Sequence, residues 1–177
     1  LDADGLNLLA RKMTVENSQL GDLLPPAAVL TPHPGEMARL LGRDVRSIQA
    51  DRFGSALELS RKLSCWTVLK GAYTVIASPD GRLEISPIAT AVLGTGGSGD
   101  MLAGIIGAFL AQGMSPGDAA IAAVRVHGET GLAFDSPAGV TAGNLLSEVG
   151  SAIRKLLSVT NSASSERAFP GATLPIV

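Results

Sequence analysis

The chain has 177 residues, enough for one domain with a substantial core, and 46% of them are apolar against 17% charged. A net charge of −2 gives no electrostatic case for nucleic acid or an anionic membrane surface. Cys65 is the sole cysteine, which excludes an internal disulfide and fits a reducing compartment. Aromatic residues make up only 3%, so the core is expected to rest on Leu, Ile, Val and Ala, with Cys65 as a small buried apolar residue. Asp2 and Asp4 stand where a secretory signal would carry basic residues. The uncharged apolar stretch from Met101 to Met114, before Ser115-Pro116-Gly117 breaks it, is too short to span a bilayer. A soluble cytoplasmic protein is expected.

The chain opens on LDADGLN, Leu1 to Asn7, an acidic turn leading into a short helix over Gly5 to Lys12. Residues 13 to 24 show no clear period. Ala27 to Leu30 read as a short buried strand, followed by TPHPGE at Thr31 to Glu36. Pro34 suits a first helical position and Glu36 the first turn, and Gly42 ends the helix. His33 stands between two prolines that stiffen its backbone, which favours a functional over a merely solvated side chain. Ser47 is expected to cap one helix over Ile48 to Leu63. Trp66 to Leu69 then form a strand ending at Lys70-Gly71. Tyr73 to Ala77 follow as a second strand, and Arg82 to Ile85 return across a Pro79-Asp80-Gly81 turn. A Lys at such a strand end can neutralise phosphate oxygens, although most strand-end lysines are only solvated.

GTGGSGD, Gly94 to Asp100, carries four glycines in seven residues. An apolar run through Met101, Leu102, Ile105, Ile106, Phe109 and Leu110 follows at the spacing of a buried helix. A glycine turn opening a helix points N–H groups outward at the positive end of the dipole, where a phosphate is favoured. Asp100, one residue past the last glycine, is placed to handle a proton. Beyond Gly113, Ser115-Pro116-Gly117-Asp118 is an N-cap signature for a helix running to Phe134. His127 and Glu129 within it are two residues apart, share no helix face and make no metal site. Thr141 caps a last helix to about Leu157, and a loose tail is expected over 158–177. Strands separated by helices, then a helical block, give an α/β layered fold with a mostly parallel sheet flanked by helices. The chemically interesting stretches fall at strand ends and loop–helix junctions of one cleft.

The ordered run LDADGLN, TPHPGEMARLLG, VLKGAYTVI, GTGGSGDMLAGIIGAFLAQG and HGETG resembles the ADP/ATP-dependent NAD(P)H-hydrate dehydratase family, the carbohydrate-kinase-like domain of the YjeF type in the ribokinase-like superfamily. The resemblance covers residues 1 to 157, with Ser98 where the family usually has Thr. It implies the C-terminal portion of a ribokinase-like domain, since the family carries further residues ahead of the acidic segment that supply the first strands and part of the pocket. It implies dehydration of the S-epimer of NAD(P)H hydrate, with phosphorylation by ADP or ATP followed by phosphate elimination. Asp100 matches the catalytic base that faces the substrate hydroxyl, and His33 a contact to the hydrated dinucleotide. Lys70, Gly71, Ala72, Tyr73 and Thr74, with Gly96, Gly97, Ser98 and Gly99, match the nucleotide-binding segments. Glu36, Asp4 and Asn7, with Asp2, match positions that organise phosphate and Mg²⁺, the metal being held through water without an assigned direct ligand. The implied partners are NAD(P)H hydrate, adenine nucleotide and further copies in a homo-oligomer, with no nucleic acid or membrane. Two other readings share these motifs: a ribokinase-like vitamin or hydroxymethyl kinase, and a truncated nucleotide-binding module without enzyme activity.

Overall fold

A computed structural model describes residues 1–15, 24–25 and 27–163. The expected tail therefore lies outside the described residues from 164 onward, as does most of the patternless stretch ahead of the first strand.

Helix α1 (Ala3–Val15) precedes strand β1 (Val29–Leu30) and helix α2 (Pro34–Leu41). Where one helix over Ile48 to Leu63 is expected, there are two, α3 (Val45–Ala50) and α4 (Arg52–Leu63). The break has a local cause. Asp44 and Asp51 each accept a backbone N–H three residues on, from Ser47 and Gly54, so each starts its own helix. Ser47 is thus capped rather than the cap. Strands β2 (Trp66–Leu69), β3 (Val75–Ala77) and β4 (Leu83–Ile85) follow. After a 3-10 turn at Ala91–Gly94 come α5 (Ser98–Ala111), α6 (Pro116–Leu132) and α7 (Ala142–Ala163). Ser115 caps α6 with Pro116 at its first position. Thr141 and Asn144 exchange side-chain and backbone bonds at the head of α7, which runs past Leu157.

The sheet order is β1-β2-β3-β4. The layered α/β class holds, with a different balance of strand directions from the one expected. β1 pairs parallel to β2 across the α2–α4 crossover, whereas β2–β3 and β3–β4 are antiparallel. The short connections at 70–74 and 78–82 allow only hairpins, since a parallel return needs a crossover of a dozen residues or more. Leu1 lies along the outer edge of β1, its amino group donating to the Val29 carbonyl and its own carbonyl accepting from Thr31. That contact sets Asp2 at the C-terminal end of β1 and β2.

Strand alternation feeds two cores. Val29, Val68 and Ile76 face α5, α6 and α7. Leu30, Leu69, Val75 and Ala77 face α1, α2 and α4, where Cys65 is also buried and burial pushes its thiol up to about 12. Each fully buried Leu contributes about 1.5–3 kcal/mol relative to exposure. No helix among the described residues is long and apolar enough to cross a membrane.

On α6, Gly128 and Gly131 let the 86–94 segment approach closely. A Cβ at Gly131 would stand 2.7 Å from Leu93 Cγ and 2.8 Å from Thr90 Cγ2. Both are branched side chains in a packed turn, so the clash outweighs the roughly 1 kcal/mol that Ala gains over Gly in a helix. Gly131→Ala is expected to destabilise the fold by about 1–3 kcal/mol, read as a lower denaturant midpoint at unchanged slope.

Candidate active site

Lys70 directly follows β2 and begins the turn to β3. Gly71 has φ +143° and Tyr73 φ +52°, both in the region that favours glycine. Thr74 closes the turn by donating from Oγ1 to the Gly71 carbonyl at 2.9 Å. The Lys70 N–H donates to the Pro32 carbonyl at 2.9 Å, which ties this turn to the TPHPGE loop. The Lys70 ammonium lies 2.6 Å from Asp2 Oδ1 and 3.8 Å from Glu36 Oε2. A Cβ placed at Gly99 would stand 3.2 Å from the same nitrogen. Residues from four separate stretches of sequence therefore converge on one ammonium group.

Glu36 is buried in the first turn of α2, where it forms a capping box with His33. His33 Nδ1 accepts from the N–H groups of Gly35 and Glu36, at 2.9 and 3.3 Å, and the His33 N–H donates to Glu36 Oε2 at 2.8 Å. Nδ1 is thereby an acceptor and the proton of the neutral ring sits on Nε2. The His33 side chain is half exposed, and its Nε2 lies 3.5 Å from Glu36 Oε1. The sequence pointed to His33 as a ligand contact; its structural role as a helix cap is additional, and the Glu three residues on was the signal for it.

Helix α5 begins without a side-chain cap. Gly97, at φ +87°, is its N-cap residue, and Ser98 Oγ donates back to the Leu93 carbonyl at 2.6 Å instead of capping. The Ser98 N–H donates to the Thr95 carbonyl at 3.1 Å, and the Gly99 and Asp100 N–H groups are left to a ligand or water. Asp100 is exposed in that first turn and makes no hydrogen bond or ion pair among the described residues.

Beside this junction lies a cavity of about 250 Å³. Lys70, Gly71, Ala72 and Thr74 form one wall, and Ser98 and Gly99 another. Ile88, Leu93, Leu102 and Val124 give it an apolar interior, and His127 and Gly128 of α6 complete it. A slot that is apolar within and lined by glycines and a lysine at one end suits a planar base joined to phosphates. The 86–94 segment and His127 were not legible as site residues. His127 is 9% exposed, and its Nε2 has no partner among the described residues. Burial pushes the imidazole down to about 4, opposed by a backbone hydrogen bond with Ser98 and reinforced by the charge of Lys70. Between about 4 and the usual 6.5 the unfolded chain binds the proton and the folded chain does not, so stability falls as pH drops through that window. Thermal midpoints are expected to fall from about pH 7 to about pH 4, and His127→Gln to flatten that dependence.

Of the residues singled out in sequence, Lys70, Gly71, Ala72, Thr74, Ser98 and Gly99 share the cavity. Asp2 and Glu36 adjoin it through Lys70. Tyr73 points to solvent, 57% exposed. Gly96, Gly97, Asp100 and His33 are not among the cavity-lining residues. Asp4 is exposed on α1, and Asn7 Oδ1 accepts from Arg39 at 3.1 Å. No group of three or more His, Cys, Asp or Glu gathers among the described residues. Two carboxylates at a phosphate-suited lysine fit Mg²⁺, which keeps its waters and takes phosphate oxygens, and would not fit an all-protein cage.

The layered sheet, the glycine-opened helix and the lysine junction define an α/β protein of the ribokinase-like class. A solved ribokinase-like superfamily protein from Enterococcus faecalis shares that fold at 26% identity and a TM-score of 0.67, over 86% of this chain and 51% of its own. Residues 1–155 match the family described as NAD(P)H-hydrate dehydratase, and the chain belongs to that family. It is 41% identical over 156 residues to the ADP-dependent (S)-NAD(P)H-hydrate dehydratase of Neisseria meningitidis, covering 88% of this chain and 52% of that protein. The bifunctional NAD(P)H-hydrate repair enzyme of Moorella thermoacetica is 47% identical over 131 residues, 74% of this chain and 24% of its own. The Bacillus subtilis ADP/ATP-dependent NAD(P)H-hydrate dehydratase, co-crystallised with ATP and Mg²⁺ and soaked with CoA, superimposes with a TM-score of 0.67 at 35% identity. That match covers 72% of this chain and 48% of the Bacillus one. The chain thus spans about half the length of the Neisseria dehydratase and less of the bifunctional enzyme.

Proposed function

We propose that the protein dehydrates the S-epimer of NAD(P)H hydrate at the expense of ADP or ATP, restoring the reduced dinucleotide. The observation that carries this reading is the junction at Lys70, where Asp2, Glu36 and the start of α5 meet beside an apolar slot. In this reading the adenine nucleotide lies along Lys70 to Thr74, with its phosphates over Gly96 to Gly99. Backbone N–H groups at the head of α5 hold the transferring phosphoryl group, where they stabilise charge as it develops. Asp100 takes the proton of the ring hydroxyl as the hydroxyl oxygen bonds to the terminal phosphorus and the bond from that phosphorus to the bridging oxygen breaks, releasing AMP from ADP or ADP from ATP; an alcohol is a poor nucleophile until a base removes its proton. Phosphate then leaves with the C–O bond pair and a ring proton is lost. His33 contacts the substrate from the capped end of α2. Mg²⁺, held through water near Asp2 and Glu36, would supply charge neutralisation to the phosphates. The reading extends to a homo-oligomer acting in the cytoplasm.

The test is to incubate the protein with hydrated NADH, Mg²⁺ and either ADP or ATP, and to follow the absorbance of reduced nicotinamide. Recovery that depends on nucleotide is expected. ADP binding with no recovery under any of these conditions would overturn the dehydratase reading and leave a nucleotide-binding module.

A further inference from the structure

Arg52 is the first residue of α4, far in sequence from the turn it serves. Its guanidinium reaches across to the C-terminal end of β2, where one nitrogen donates to the Leu69 carbonyl at 3.2 Å and the other to the Lys70 carbonyl at 3.5 Å. The side-chain carbonyl of Gln49 takes a third bond at 3.0 Å. Burial alone lowers the pKa of this group, and no carboxylate pairs with it among the described residues. A half-buried cation bonded only to neutral oxygens keeps its charge unneutralised, at some cost in desolvation. It calls for a reason beyond local packing.

The reason lies in peptide geometry. In a trans peptide the C=O and the following N–H point in opposite directions. Arg52 holds the Leu69 carbonyl, and the Lys70 N–H accordingly points the other way, to the Pro32 carbonyl at 2.9 Å. By the same rule, holding the Lys70 carbonyl turns the Gly71 N–H away from Arg52. Gly71 sits at φ +143°, which side-chain-bearing residues rarely adopt, and a Cβ there would stand 2.9 Å from the Arg52 guanidinium and push it aside.

We propose that Arg52 is a positioning residue for nucleotide binding, fixing the two strand-end peptides so that the Lys70–Thr74 turn presents the Gly71 N–H and the Lys70 ammonium to a bound diphosphate. This rests on the nucleotide site proposed above. Arg52 touches no substrate; it acts through the turn, and its unneutralised charge adds to the positive field there.

Titration of ADP and of adenosine into the protein and into Arg52→Lys and Arg52→Gln, with thermal midpoints and amide exchange at Gly71 and Ala72, tests it. Arg52→Gln is expected to bind ADP roughly tenfold more weakly, the effect of one lost bond from a charged donor. Adenosine affinity should fall less, and exchange at Gly71 and Ala72 should speed up. Arg52→Lys keeps the charge without the two-pronged fork, so an intermediate ADP affinity is expected. If the Gln variant does not fold, the Lys variant decides. ADP affinity within about twofold of the unsubstituted protein in the folded variants would overturn the proposal. So would equal losses for ADP and adenosine alongside a large fall in thermal midpoint. Unsubstituted protein that binds no ADP would overturn the nucleotide site itself, a result distinct from unchanged variants.

Discussion

Asp100→Asn is expected to lower turnover by about 10²–10⁴-fold while leaving ADP affinity within about threefold. The side chain is exposed in the first turn of α5 and has no hydrogen bond or ion pair among the described residues, so its amide analogue disturbs neither a fold contact nor the helix it opens. The N–H groups that would hold phosphate belong to the backbone and survive the change. Steady-state turnover of hydrated NADH beside calorimetric ADP binding separates the two effects. Retained turnover would show that another group takes the proton.

Lys70→Met acts on binding and on stability together. The ammonium sits between Asp2 and Glu36, all three side chains being less than a fifth exposed. Removing it leaves two carboxylates facing each other without a cation, at a cost of about 1–3 kcal/mol. A diphosphate loses its main charged donor at the same time, so ADP affinity is expected to fall roughly 10–100-fold. Adding Asp2→Asn relieves the repulsion and is expected to recover much of the thermal midpoint without recovering ADP affinity. Joint recovery of both would mean that Lys70 serves the fold alone.

Features with a local cause were legible in the sequence. The starts of α2 and α6 follow from Pro34 and Ser115-Pro116, and the end of α2 from Gly42, because caps depend on neighbours within a few residues. The break at Asp51 was local too, yet it was hidden, since Asp44 and Asp51 both cap in a stretch whose apolar period runs on through them. The direction of β3 followed from the shortness of its connection, which helix–strand alternation overshadowed. The site divides in the same way. Lys70, Gly71, Ser98 and Gly99, which line the slot, announce themselves by type and spacing; His33 and Asp100 were singled out in the same way and stand outside its lining. His127 and the 86–94 wall do not, because their place depends on how α6 packs against a distant segment. The spacing of Gly128 and Gly131 was the available hint of that close approach. Arg52 was invisible for the same reason: its partners are 17 and 18 residues away.

A crystal structure of the protein with ADP and Mg²⁺ tests the lysine junction most directly. The diphosphate is expected within hydrogen-bond distance of the Lys70 ammonium and the Gly99 N–H, with the base in the slot between Ile88, Leu102 and Val124. A nucleotide bound elsewhere, with Lys70 still paired to Asp2 and the slot unfilled, would contradict it.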